Sequence, residues 1–377
     1  MKKEMQEELS RIPTMPEASA HAYHEHLSFL LDRVNKKLAS REDLSSLIGS
    51  NPANAMFDNH RNHAVFMDNV FQLNPFSLLP DIVPWVYRAY HNHGFAFDYF
   101  SVHIRAWQEA LQESLDPEVS APLVRIYDWM LSHHSDFIAL SQESLNDNRV
   151  SLQTENEEHN RFLQALLQGD QRTIHAISQE QVSAPQGLQE FYQDILQPAM
   201  YRIGELWEAG EITVSREHLA SALANTAMSS QYIRVMSQTE PWKGRIVVSA
   251  APNEFHSLGA EMIANCLEAE GWEVDYLGAN IPSGDLVEHI RERKPYIVAL
   301  SVAMIFNLVP TKEIVEGITQ AFPQSRPWIL LGGLAFAGHP ELVSRVGGDG
   351  YAENCTRAID LVEQWRGEMA HEHHRDR

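Results

Sequence analysis

From residue 245 onward, short apolar runs alternate with stretches of helical periodicity. Ile246-Val247-Val248, Ile297-Val298-Ala299-Leu300 and Trp328-Ile329-Leu330-Leu331 are continuous apolar runs, as expected of strands buried on both faces of a sheet. They predict strands over 245–250, 273–277, 296–300, 328–331 and 349–352. Helices are predicted between and after them, over 258–270, 283–293, 309–322, 340–346 and 356–368. Five strand–helix units joined by short loops predict a parallel, doubly wound sheet spanning 241–377.

Upstream, residues 151–240 carry helical periodicity throughout. Gly169-Asp170, Ala184-Pro185-Gln186-Gly187 and Ala209-Gly210-Glu211 punctuate four stretches, which predicts an up-down four-helix bundle. The third helix places Leu188, Tyr192, Ile195, Leu196, Ala199, Ile203 and Leu206 at core spacing. The fourth starts near Thr213, a residue suited to an N-cap, and presents Leu219, Leu223, Met228, Ile233 and Met236 to the core. Residues 1–150 form a separate helical region, with Pro80, Pro84 and Pro117 expected at helix starts. The fold class is therefore multidomain, α plus α/β, with domains at 1–150, 151–240 and 241–377.

Charge and composition remove several function classes. Lys and Arg number 29 against 51 for Asp and Glu, a formal net charge of −22, which argues against direct nucleic-acid binding. Two cysteines, Cys266 and Cys355, point to a reducing compartment. The charged N-terminus has no signal-peptide core and no apolar run is long enough to span a membrane, so a cytoplasmic location is expected. The N-terminal histidines, among them His60, His63, His91, His93 and His103, show no metal-site spacing such as H-E-x-x-H.

The chemistry is concentrated at strand ends. Glu254-Phe255-His256-Ser257-Leu258-Gly259 follows the first strand, so that His256, with a carboxylate two residues earlier, can reach a metal. After Gly259, 41 residues lead to Ser301-Val302-Ala303 at the end of a second strand, and 28 more to Gly332-Gly333 at the end of a third. Open α/β sheets bind ligands at such carboxyl ends.

This constellation resembles the cobalamin-binding domain of the methionine synthase and mutase superfamily, whose pattern is Asp-x-His-x-x-Gly, then Ser-x-Leu, then Gly-Gly at matching separations. Glu254 stands in place of the aspartate and Ala303 in place of the leucine. The resemblance implies a flavodoxin- or Rossmann-like sheet domain with His256 as lower cobalt ligand and Glu254 orienting it. Gly259, Ser301, Gly332 and Gly333 would line the slot for the cofactor's nucleotide tail.

Nine residues separate Trp207 from Glu217-His218. That spacing resembles the bundle of CarH-type photoreceptors, which implies adenosylcobalamin as cofactor, with Trp207 over the adenosyl group and Glu217 and His218 enclosing it. In that family a histidine follows the tryptophan and ligates cobalt after photolysis; here the position is Glu208. No DNA-binding head is expected, and the domain order resembles photocobilins, which also carry a bilin. That resemblance implies a biliverdin site in the N-terminal region, for which His91, His93, Arg88 and Arg105 are candidate donors. The chain is thus expected to be a light sensor and not an enzyme. Photolysis of the Co–C bond would change domain packing, self-association or binding to a protein partner. Two alternatives stand beside this reading: a corrinoid methyl carrier serving a methyltransferase, and a cobalamin- or haem-responsive antirepressor.

Overall fold

The structure, a computed structural model, describes residues 1–147, 156–236 and 243–375. The boundaries expected at 150/151 and 240/241 lie outside these residues. The chain divides into two compact units, Met1–Leu152 with Leu206–Ile212, and Gln153–Glu205 with Thr213–Arg377.

The N-terminal unit is helical: α1 (Lys2–Leu9), α2 (Glu17–Ala39), α3 (Leu44–Ile48), α4 (Ala53–Leu73), α5 (Leu79–Asn92), α6 (Asp98–Ser114), α7 (Pro117–Ser132) and α8 (His134–Asp147). Pro80 and Pro117 occupy first-turn positions of α5 and α7, as expected. Pro84 instead lies inside α5, where it forgoes one helical hydrogen bond. The core between α2, α4, α6 and α7 is filled by rings. Tyr23 meets Phe71 edge-on at 4.9 Å, and His60 stacks on His103 at 4.6 Å. Trp107 Nε1 donates to His103 Nε2 at 2.8 Å, and His63 Nε2 is 3.2 Å from the Tyr127 hydroxyl. Nε2 of His60 is buried without a partner among the described residues.

The second unit opens with α9 (Glu157–Gln168) and α10 (Gln171–Gln181). Asn156 and Asp170 cap them by accepting from backbone N–H groups of their first turns. The third helix of the bundle is interrupted: α11 (Pro185–Phe191) passes through a π-helical turn, Tyr192–Leu196, into α12 (Gln197–Glu208). The fourth is α13 (Val214–Met236). Every core position expected on the third helix is buried, as are Leu223 and Met228 on the fourth. Leu219 and Ile233 are not; they are 46% and 70% exposed. Over six turns, 3.6-residue periodicity assigns a stripe wider than the faces that α9, α10, α11 and α14 cover, so flanking apolar residues stay outside.

After the bundle come β1 (Arg245–Ala250), α14 (Leu258–Ala269), β2 (Glu273–Tyr276), α15 (Ser283–Arg293), β3 (Ile297–Ser301), α16 (Leu308–Ala321), β4 (Trp328–Gly332), α17 (Glu341–Val346), β5 (Gly350–Ala352) and α18 (Cys355–Arg375). All strands are parallel in the order β2-β1-β3-β4-β5, with helices on both faces, the flavodoxin-like doubly wound arrangement. β1, β3 and β4 are central and almost wholly buried, which explains their unbroken apolar runs. The π turn docks the bundle on this layer. Asn265 of α14 donates to the Tyr192 hydroxyl at 2.9 Å, and Gln193 Oε1 accepts from the Thr356 backbone N–H at 3.0 Å.

Candidate functional site

The loop after β1 is organised by one carboxylate. Glu254 is fully buried, and both of its oxygens are engaged. Oε1 accepts from the His256 backbone N–H at 3.0 Å and from His256 Nδ1 at 2.5 Å. Oε2 accepts from the backbone N–H groups of Ala303 and Met304 at 3.0 and 2.8 Å, and from Asn307 Nδ2 at 3.0 Å. Burial alone would push this carboxyl upward. Hydrogen bonds from the His256 ring and from the backbone of His256 and Met304 outweigh it and hold the pKa at about 2. Glu254 is therefore ionised at neutral pH, a charge held by five donors.

His256 is its counterpart. The hydrogen bond to Glu254 raises the imidazole pKa against the opposing effect of desolvation, with the charges of Glu254 and then Glu217 adding to the rise. Because a carboxylate only accepts, Nδ1 carries a proton, and in the neutral ring the lone pair is therefore on Nε2. Nε2 has no partner among the described residues, and the side chain is 64% exposed. The arrangement is a basic, pre-oriented imidazole presented at the carboxyl end of the sheet. Among the described residues no group of three or more His, Cys, Asp or Glu could hold a metal ion. One such imidazole therefore suits a metal that arrives with its other ligands already in place, as in a corrin ring.

The other strand-end residues gather beside it. Register pairs Ser301 with Ala250 on one side and with Gly332 on the other. At Gly333, φ is +98°, and a Cβ would lie 2.3 Å from the Val302 carbonyl oxygen. The protein's own backbone therefore demands glycine there. At Gly259 a Cβ would lie 3.6 Å from Ser301 Oγ, an ordinary contact, so only a bound ligand would require glycine at that position. Ala303 contributes its backbone N–H to Glu254, which any side chain at that position can supply.

On the bundle side of the same unit, His218 Nδ1 donates to Glu217 Oε2 at 2.6 Å, and Ser221 Oγ donates to Glu217 Oε1 at 2.7 Å. Both residues lie in the first turns of α13, a helix joined to α14 by Asn225 donating to Glu261 at 3.2 Å. The His218 ring is 74% exposed. Trp207, half-buried, falls in the segment grouped with the N-terminal unit. Of the N-terminal candidates, Arg88 pairs with Glu208, His91 Nδ1 donates to the Phe95 carbonyl, and His93 Nε2 donates to the Trp207 carbonyl. Arg105 is exposed.

Asn307 was not legible as a site residue. An asparagine just before Leu308 reads as a helix cap, yet its side chain makes no capping bond and turns to Glu254 instead. Asn253 and Asn280, both at positive φ, were missed for a similar reason. Asn280 Oδ1 accepts from the Asn253 N–H and its own N–H donates to the Glu254 carbonyl, which fixes the loop that carries His256.

Residues 244–360 match a family model described as a B12 binding domain, and residues 158–230 match a second B12 binding domain model. Dimethylamine corrinoid protein 3 of Methanosarcina acetivorans is 22% identical over 194 residues, covering 52% of this chain and 89% of that protein. Trimethylamine corrinoid protein 1 of the same organism is 24% identical over 201 residues, covering 52% and 92%. The HTH-type transcriptional repressor CarH of Myxococcus xanthus is 27% identical over 177 residues, covering 47% of this chain and 58% of the repressor. A helical B12 binding segment and a sheet B12 binding domain, with an oriented imidazole at the strand ends, make this chain a cobalamin-binding protein.

Proposed function

We propose that the chain is a light-responsive receptor for adenosylcobalamin, in which His256 takes the lower face of the corrin and Trp207, Glu217 and His218 enclose the upper ligand. The observation that carries the reading is the Glu254–His256 pair, which leaves Nε2 oriented and free to bind. When bound, adenosylcobalamin supplies a light-labile bond to its upper ligand. Glu254 holds the proton on Nδ1, the Asn253–Asn280 loop fixes the ring's approach, and Ser301 offers a hydroxyl beside the open backbone of Gly259 for the nucleotide tail, with Gly332 and Gly333 shaping the adjoining strand end. Glu217 and His218 supply an acceptor and a ring N–H at the head of α13, groups able to bond the polar edge of an adenosyl ligand. The spacing of Trp207 from that pair and the similarity to CarH support this assignment.

On this reading the chain signals and does not catalyse. Loss of the upper ligand removes a partner of Trp207, Glu217 and His218 and biases a change in packing or association. With a net charge of −22, the output is a protein contact and not DNA. His256→Ala is expected to abolish the imidazole-bound spectrum of the loaded protein; an unchanged spectrum and affinity would overturn the assignment. Light scattering on dark and illuminated protein loaded with adenosylcobalamin is expected to give different sizes. Supplying biliverdin in the same measurement tests the second chromophore by its own absorption band.

The dimethylamine and trimethylamine corrinoid proteins favour a second reading, a corrinoid carrier that shuttles methyl groups. Equal affinity for methylcobalamin and adenosylcobalamin, with identical size in dark and light, would select it.

A further inference from the structure

The segment Leu206–Ile212 closes α12 and leads into α13, yet it belongs to the N-terminal unit. The last turns of α5 and His93, the residue that caps it, hold it. The Arg88 guanidinium pairs with the Glu208 carboxylate, Nε donating to Oε1 at 2.5 Å, and the two side chains are only 16% and 15% exposed. Asn92 Nδ2 donates to the Glu208 carbonyl at 3.1 Å, and His93 Nε2 donates to the Trp207 carbonyl at 3.2 Å. The His93 ring lies tilted against the Trp207 indole, centroids 5.4 Å apart. At Gly210, where φ is +72°, a Cβ would come within 3.2 Å of the Asn92 carbonyl oxygen.

A helix normally leaves its last carbonyls to solvent or to its own cap. Here the Glu208 carbonyl is taken by Asn92 of α5, and the Trp207 carbonyl, which also accepts from the Gly210 N–H of its own turn at 2.9 Å, is shared with His93, the residue that ends α5. The accompanying ion pair is mostly shielded from water and so is little weakened by screening. Every one of these contacts converges on Trp207, its neighbour Glu208, or the turn just after them.

We propose that α5 positions the lid tryptophan. Arg88, Asn92 and His93 are positioning residues that fix Trp207 and so set the preference for an adenosyl upper ligand. The proposal rests on Trp207 being the lid. It gives Glu208 a role where the photoreceptors carry a cobalt-binding histidine: its carboxylate is committed to Arg88. Coupling of this kind is reciprocal, so whatever moves Trp207 loads α5 by the same free energy.

The test uses the full chain, with Arg88→Ala, Glu208→Ala and the exchanged pair Arg88→Glu with Glu208→Arg. Amide hydrogen exchange over 206–212 is measured without cobalamin. Exchange is expected to rise about tenfold in each single variant and to fall back in the exchanged pair. The adenosylcobalamin-to-methylcobalamin affinity ratio is then measured, and is expected to drop in the single variants and recover in the exchanged pair. Unchanged exchange would overturn the clamp. Faster exchange with an unchanged ratio, in a protein whose ratio Trp207→Ala does lower, would overturn the positioning role alone. A ratio indifferent to Trp207→Ala would instead overturn the lid, and with it the use made of the clamp, while the exchange result would still report the clamp itself.

Discussion

At Gly333 the backbone sits at φ +98°, with the Val302 carbonyl oxygen 2.3 Å from where a Cβ would be. Gly333→Ala is therefore expected to cost roughly 2 kcal/mol or more, because backbone and not a flexible side chain must give way. Chemical denaturation would show it as a lowered midpoint. Glu254 is sensitive for a different reason. Glu254→Ala leaves the Ala303 and Met304 N–H groups without their acceptor and reduces the buried Asn307 amide to its longer bond to the Asn253 carbonyl. Hydrogen bonds to a charged acceptor are worth about 1.5–3 kcal/mol each, so a loss on the order of 3–5 kcal/mol is expected. Glu254→Gln, which keeps acceptor capacity, should lose less; equal midpoints for Glu254→Ala and the parent would contradict the network. Glu254 was legible in the sequence, since it stands two residues before a strand-end histidine. Its reach to the loop after β3 was not, because those donors lie about fifty residues away and are mostly backbone.

Among the elements, the third helix of the bundle shows what periodicity captures and what it omits. Its buried stripe followed directly from residue spacing. The π turn at Tyr192–Leu196 did not, since one widened turn changes hydrogen-bonding partners without disturbing the apolar pattern. That turn brings Tyr192 against Asn265 and Gln193 against Thr356. Tyr192→Phe removes the acceptor of a buried amide and is expected to destabilise the second unit by about 1–2 kcal/mol in denaturant titration. Ile233→Lys, at a position 70% exposed, is expected to stay within about 0.5 kcal/mol of the parent despite falling on the same apolar periodicity. A large loss there would mean that the outer face of α13 is covered in solution.

For the molecule as a whole, the buried imidazoles of the N-terminal unit set an acid limit. Burial lowers both His60 and His63 to about 3, aided at His63 by the nearby His60, and takes His103 well below its ordinary value. Unfolded histidine titrates near 6.5, so the folded unit binds fewer protons than the unfolded chain below that pH. Stability contributed by the neutral rings is complete above about 6.5 and is lost progressively as pH falls toward about 3. Each ring costs up to about 1.4 kcal/mol per pH unit within that window. Helical circular dichroism followed against pH should show the N-terminal unit unfolding between those limits, and His60→Asn with His63→Gln should move the transition to lower pH. An unshifted transition would assign acid unfolding to other groups.

The sequence alone determined the parallel sheet, the helical bundle and the strand-end constellation of Glu254, His256, Ser301, Gly332 and Gly333. Each is written in local periodicity or in residue types at fixed separations along the chain. Only the tertiary structure decided which residues complete them. Asn307 turns from a helix cap to the buried carboxylate, Leu219 and Ile233 stay outside the core, and Arg88, Asn92 and His93 close on Trp207 and Glu208 from more than a hundred residues away. Such pairings depend on how helices and strands pack across long separations, and no local pattern of apolar and polar residues encodes that partner choice.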